Sequence, residues 1–320
     1  MSKTEPYTPQ GVIPACLMPF DADFKVNEAA YRAHLQDLLS VKGITGIAIN
    51  GHAAEVHALT IEEQHRAVVV TKEELQDKVA TVTGIHTDSS LEAGKLAAYA
   101  RKEGADCLLV FPPNFMTLGG HMRPEMITQH LQRITDACDL PIILFQFPIP
   151  SNLSYPLSTL ISLCERFPQI RAIKDMIGDG NQHEQQIREL KALDNPVKTI
   201  TTHSAWLIGS LALGAEGILS GAGSVIADLQ VALFRAMQAN DLAAASAIND
   251  RIYPTVRAFY DAPLLDMHNR MKEALVILGK MNEAHVRPPL MKPTPSEIEK
   301  IGRMMADAGL TASNVYRNAP

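Results

Sequence analysis

Cysteine is scarce in this sequence. There are four, Cys16, Cys107, Cys138 and Cys164, widely spaced and mostly inside apolar runs, with no C-x-x-C pair. That scarcity excludes a disulfide frame and a cysteine zinc site, and it points to buried thiols in a reducing compartment. Long apolar runs are also missing: none is long enough to span a bilayer, and Met1 to Gln10 is polar, so neither a membrane span nor a signal peptide is expected. Positive charge is in deficit. The formal net charge of -6 gives no electrostatic reason for nucleic acid or an anionic membrane as partner. His, Asp and Glu are scattered without metal-ligand spacing, so no metal and no cofactor is expected. There is no low-complexity segment and no flexible linker. A cytoplasmic protein acting on a small molecule is the expectation.

What the chain does have is 320 residues, 46% of them hydrophobic, enough for one large α/β barrel with an appendage or for two modest domains. Short apolar stretches read as strands at Val12–Phe20 (interrupted by Pro14 and Pro19), 43–50, 78–84, 106–111, 141–147, 170–173, 197–202 and 217–220. Helical spacing separates them, with Asn27 as a cap, Thr60 and Glu63 as a capping box, Pro124 at a helix start, and Gly104 and Gly214 as stops. Strands this apolar are covered on both faces, which argues for a parallel sheet. Eight strand–helix alternations argue for closure into a (β/α)8 TIM barrel with its site at the C-terminal strand ends. An open doubly wound sheet is the competing architecture, but no G-x-G-x-x-G turn follows the first strand. The barrel is expected over residues 1–224. Residues 225–320, which show only helical patterns, should supply the eighth barrel helix and a C-terminal helical extension.

The stretch QIRAIKDMIGDG, 169–180, carries a lysine at the end of the sixth strand. Alternation sets Lys174 on the face of Ala172, and Ile173 and Asp175 on the other. An ammonium drawn inside loses hydration, its pKa falls from ~10.4, and the neutral amine becomes a nucleophile able to form a Schiff base with a carbonyl. The competing reading is a rim lysine that snorkels to solvent. Other residues at strand ends are Gly51, His52 and Ala53, His86 with Asp88, Asn114, Phe145 to Phe147, His203 with Ser204, and Ser220 to Gly223. Lys174 is the single lysine of that set. Asp175 is expected to pair with a neighbouring helix.

Four segments in order carry a resemblance: NGHAAEVHALT at 50–60, LFQFP at 144–148, AIKDMIG at 172–178 and LGAEGILSG at 213–221. On these the chain resembles the dihydrodipicolinate synthase / N-acetylneuraminate lyase family of class I aldolases and lyases, over about Gly11 to Leu310. The resemblance implies a (β/α)8 barrel plus C-terminal helices, a homotetramer, and a 2-oxo acid such as pyruvate held on Lys174 as an imine. It also implies substrate contacts from Gly51, Ala53, Asn114, Phe145, His203 and Leu219, with Glu55 as a carboxylate that ties down its own loop. The departures are specific. Where the family has G-T-T-G-E this chain has His52 and Ala53 in the threonine positions, and Phe145 stands where the family has a tyrosine relay. The family's interface tyrosine falls on or beside Asn114, and its carboxylate-binding arginine would fall near Pro150. Synthesis of dihydrodipicolinate is therefore not expected.

The reading is a lyase or aldolase in which Lys174 forms a Schiff base with a 2-oxo acid for C–C cleavage, C–C formation or dehydration. His52, with an unperturbed imidazole pKa near ~6.5, takes the place of the missing phenol as acid/base. His86 and His203 are the competing bases. The alternative is a barrel that keeps the lysine but only binds or senses an oxo acid.

Overall fold

The computed structural model describes residues 7–202 and 204–312. Eight parallel strands form one sheet: β1 (Gly11–Val12), β2 (Gly46–Ile49), β3 (Ala80–Ile85), β4 (Cys107–Val110), β5 (Ile142–Gln146), β6 (Ile170–Asp175), β7 (Lys198–Thr201) and β8 (Gly217–Ile218). β1 pairs with β8, and parallel bridges from Val12 to Ile44 and from Ala15 to Ala48 join β1 to β2, so the sheet closes on itself as a TIM barrel. β1 is shorter than the expected Val12–Phe20 because Pro14 and Pro19 have no N–H for a ladder. The chain nevertheless continues the pairing with isolated bonds, Ala15 N donating to Ser220 O at 3.1 Å and Cys16 N to Ala48 O at 2.8 Å.

Every residue of β2, β4 and β5 is buried. This is the consequence of a sheet covered inside by its own side chains and outside by helices. Alternation divides the core accordingly. Ile143, Phe145, Leu109 and Ala172 belong to one cluster with the barrel interior, while Leu144, Val110 and Ile173 join the helices in another. A fully buried Leu or Ile contributes about 1.5–3 kcal/mol, so this division sets the register. Gly84 shows how close the backbones come: a Cβ there would lie 1.9 Å from Asn50 O, and only glycine fits.

The covering helices are α1 (Glu28–Ser40), α2 (Ile61–Leu75), α3 (Ser90–Lys102), α4 (Pro124–Ala137), α5 (Leu157–Arg166), α6 (Gly180–Lys191), α7 (Leu207–Ala212) and α8 (Gly223–Gln238). Their starts follow local chemistry. Asn27 Oδ1 accepts from Ala30 N, and Thr60 with Glu63 closes a full capping box. Gly104 and Gly214 end α3 and α7 at φ of +84° and +105°, a conformation open to glycine. α8 begins at Gly223, slightly ahead of the expected boundary at residue 225.

The extension adds α9 (Leu242–Tyr260), α10 (Met267–Ile277) and α11 (Pro295–Asp307). It is fastened to the barrel through the loop after β2. Glu55, in a left-handed conformation (φ 53°, ψ 40°), is fully buried and forms an ion pair with Lys272 of α10, itself fully buried. Glu55 also accepts from Arg287 N at 3.2 Å. The Arg287 guanidinium grips Glu63 through two bonds of 2.6 Å and donates to Ala58 O at 2.7 Å. Removing one partner of a buried ion pair costs about 3–5 kcal/mol, so the loop after β2 is held rigidly. Among the described residues no helix is long and apolar enough to cross a membrane.

Candidate active site

The C-terminal strand ends open onto a cavity of about 400 Å³. Gly51, His52 and Ala53 reach it from the turn after β2, Phe145 from β5 and Lys174 from β6. Lys174 and Phe145 are register partners on adjacent strands and therefore share a face. The Lys174 ammonium sits 4.2 Å above the centre of the Phe145 ring, and the residue is only 6% exposed. Among the described residues no carboxylate pairs with it. Burial pulls its pKa down from 10.5 to about 7. The ring face attracts the cation, yet desolvation by burial outweighs that attraction and lowers the pKa. The snorkelling alternative does not describe this side chain.

His52 is packed in an aromatic cluster, its ring 4.7 Å from Phe111, 5.6 Å from Phe147 and 5.9 Å from Phe145. Burial, reinforced by His86 and Lys174, drives its imidazole well below the ordinary histidine range. This corrects the expectation of an unperturbed imidazole. At neutral pH His52 is a neutral acceptor, and its conjugate acid is strong. His86 lies 5.5 Å from it, edge-on, and is likewise lowered by burial.

The remaining expected residues divide. Gly51, Ala53 and Phe145 line the cavity. Asn114 is exposed, outside the cavity, where its amide meets the His86 ring nitrogen at 3.4 Å. Leu219 is fully buried in the core, and the neighbouring Gly221 lines the cavity instead. The β8 end turns its Leu side chain inward to packing and leaves the glycine at the opening. His203 lies outside the described residues. Glu55 is spent on Lys272. Asp175 faces away from the cavity and accepts from His183 Nδ1 and Gln186 Nε2 of α6, both at 2.7 Å. His183 Nε2 in turn meets Ser210 Oγ at 2.8 Å. That Asp–His–Ser chain is buried between helices and sheet, so it locks α6 and α7 to β6.

Residues 8–308 match the profile of the Dihydrodipicolinate synthetase family. The chain belongs to that family. A 4-hydroxy-tetrahydrodipicolinate synthase of Methanopyrus kandleri is 27% identical over 307 residues, covering 94% of this chain and 97% of the relative. One from Hyphomonas neptunium is 30% identical over 309 residues, covering 94% and 98%. Among solved structures, YagE, a prophage protein of the dihydrodipicolinic acid synthase family from E. coli K12 crystallised with pyruvate, superposes with a TM-score of 0.85. Its sequence identity is 21%, and the match covers 94% of this chain and 99% of that one, a likeness of fold.

The cavity residues contributed by the extension are absent from the sequence-based expectation. Tyr260, the last residue of α9, lines the cavity, and its hydroxyl accepts from Ala222 N at 2.9 Å. Leu264, Leu265 and Met267, from the turn into α10, close the same side. The site is thus shared between barrel and extension, where the sequence had suggested a barrel of its own. The available signal was weak: a tyrosine closing a helical pattern just before Pro263.

The lysine carries a stability signature. Between pH of about 7 and ~10.4 the unfolded chain binds more protons than the folded one, so stability rises with pH across that window. Lys174→Met removes the burden. The variant should be more stable than the parent near neutral pH, by up to ~4 kcal/mol, with the margin shrinking as pH approaches ~10. Denaturant unfolding at the two pH values measures this; a variant less stable than the parent at neutral pH contradicts it.

Proposed function

We propose that the protein is a lyase or aldolase that holds a 2-oxo acid, pyruvate or a pyruvate-like acid, as a Schiff base on Lys174. The observation that carries the reading is a lysine buried at a barrel mouth with no paired carboxylate among the described residues and lowered to about 7, which leaves a large share of neutral amine at physiological pH. Membership in the family and the pyruvate found with YagE support it. In this reading the oxo-acid carboxylate is bound by backbone N–H groups of the Gly51–Ala53 turn, as glycine-opened turns bind anions. The carbonyl carbon meets Lys174 Nζ over the Phe145 ring.

Two departures argue for a product other than that of the dihydrodipicolinate-forming relatives. Phe145 has no hydroxyl for the proton relay, and Pro150 stands near the position of the carboxylate-binding arginine. Proton transfer then falls to His52, a neutral imidazole beside the imine, which takes a proton readily only as the chemistry generates one and returns it at once. Assembly is also part of the proposal. Phe115, Leu118 and Met122, between β4 and α4, are 50%, 91% and 74% exposed, an apolar loop suited to a second copy of this chain in a homotetramer.

Incubation with pyruvate and borohydride, followed by digestion and mass mapping, should modify Lys174. Lys174→Ala and Lys174→Arg should abolish trapping, because a guanidinium stays protonated. Exchange of the pyruvate methyl protons with deuterium reads the proton step without a second substrate. His52→Gln should trap normally but exchange ~10²–10⁴-fold more slowly, retaining the acid limb near pH 7 that belongs to Lys174. Trapping elsewhere sinks the Schiff base, and undiminished exchange sinks His52; trapping without exchange by the parent favours the binding or sensing barrel.

Sedimentation at micromolar concentration should give an oligomer, and Leu118→Asp should weaken it. A monomeric parent contradicts the assembly.

A further inference from the structure

Past the lysine, the cavity has an unusual chemistry for a site that holds a charged acid. Lys174, His52 and Tyr260 are the titratable residues lining it, and no Asp, Glu or Arg lines it among the described residues. Beyond the imine the walls are Phe147, Pro148, Met176, Leu264, Leu265 and Met267. Three hydroxyl-bearing residues line the cavity, Ser151, Thr202 and Tyr260, and two of them are already engaged. Ser151 Oγ already donates to Pro148 O at 2.5 Å, and the Tyr260 hydroxyl already accepts from Ala222 N. A polyhydroxylated or doubly charged substituent entering here would leave polar groups buried without partners, which an apolar wall cannot compensate. An apolar substituent of aromatic shape has the opposite fate. Phe145 and Phe147 lie 4.3 Å apart at a 36° tilt, and His52 meets Phe147 edge-on at 5.6 Å, so ring faces and edges are both presented.

Resting on the Schiff-base reading, we propose that the substrate is a 4-hydroxy-2-oxo acid with an uncharged aryl group on C4, cleaved to pyruvate and an aryl aldehyde or made from them. Lys174 Nζ condenses with the C2 carbonyl and water leaves. His52 takes the proton of the C4 hydroxyl while the C3–C4 bond breaks. Its electron pair moves into the imine, giving the enamine, and the aldehyde departs. The enamine takes the proton back at C3, and water hydrolyses the imine to pyruvate and free lysine. Substrate and products are isomeric in total, and no oxidant or reductant is needed. The aryl group lies against Phe147, Leu264 and Leu265, with the Tyr260 hydroxyl within the same cavity as the one uncharged polar group from the extension.

The test compares 4-hydroxy-2-oxo-4-phenylbutanoate with a 2-oxo-3-deoxyhexonate, both assayed by released pyruvate, with borohydride trapping of pyruvate run beside them. The expected result is a kcat/KM at least ~10² higher for the phenyl substrate. Leu265→Asp, at a position already 57% exposed and so tolerant of charge, should lower the phenyl kcat/KM about tenfold or more. Normal trapping with equal or faster cleavage of the hexonate, or with no cleavage of the phenyl substrate, overturns this inference and leaves the Schiff base standing. A phenyl kcat/KM untouched in Leu265→Asp also overturns it. Absence of any pyruvate adduct overturns both.

Discussion

A lysine ammonium carried into an apolar interior must either find a counter-charge or lose basicity, and Lys272 and Lys174 show the two outcomes. Lys272 enters the space between barrel and extension and meets Glu55, a backbone carbonyl of His285 at 2.7 Å, and the ring face of Phe20 at 4.3 Å. Burial lowers it, Glu55 opposes the lowering, and its donors are engaged. Lys174 enters the barrel mouth and meets a ring face and a cavity. The first lysine is a fastening, and the second is left with lowered basicity at the edge of a cavity. The difference lies in what surrounds them, since the residue type and the depth of burial are nearly the same.

The rest of the architecture serves that second environment. Closure of eight short strands excludes water from the barrel interior and aligns Lys174 with Phe145 across β5 and β6. Asp175, one residue on, is drawn to the outer face by alternation and held there by His183 and Gln186. Had it shared the face of Lys174, a carboxylate beside the ammonium would have kept the lysine protonated. The ion pair of Glu55 removes another carboxylate from the mouth and fixes the turn that carries His52. Two acids are thus kept from Lys174, one by strand geometry and one by a partner far along the chain.

That contrast explains what the sequence disclosed and what it withheld. Strand positions follow from apolar runs bounded by turn residues, and helix starts from Asn27, Thr60 and Glu63, because each depends on neighbours within a few residues. Lys174 and Asp175 were legible for the same reason: a period of two fixes their faces. The partner of Glu55 was not, since Lys272 lies 217 residues away and becomes a neighbour only after the extension docks. Tyr260 was hidden likewise. The low basicity of His52 depends on Phe111, Phe145 and Phe147 gathering from separate strand ends, and Leu219 and Asn114 on how loops leave the barrel. The family resemblance supplied the roles of the loop residues, but it carried no information about the apolar wall that this chain builds from its own extension.

Burial without a paired carboxylate among the described residues leaves a large share of Lys174 neutral near physiological pH. The direct measurement is an NMR titration of the lysine side-chain carbons and nitrogens in the ligand-free protein, with the Lys174 signal assigned by its loss in Lys174→Met. The account requires a midpoint at about 7. A midpoint at the ordinary lysine value of ~10.4 would contradict it, and with it the chemical reason for regarding this barrel as a Schiff-base enzyme.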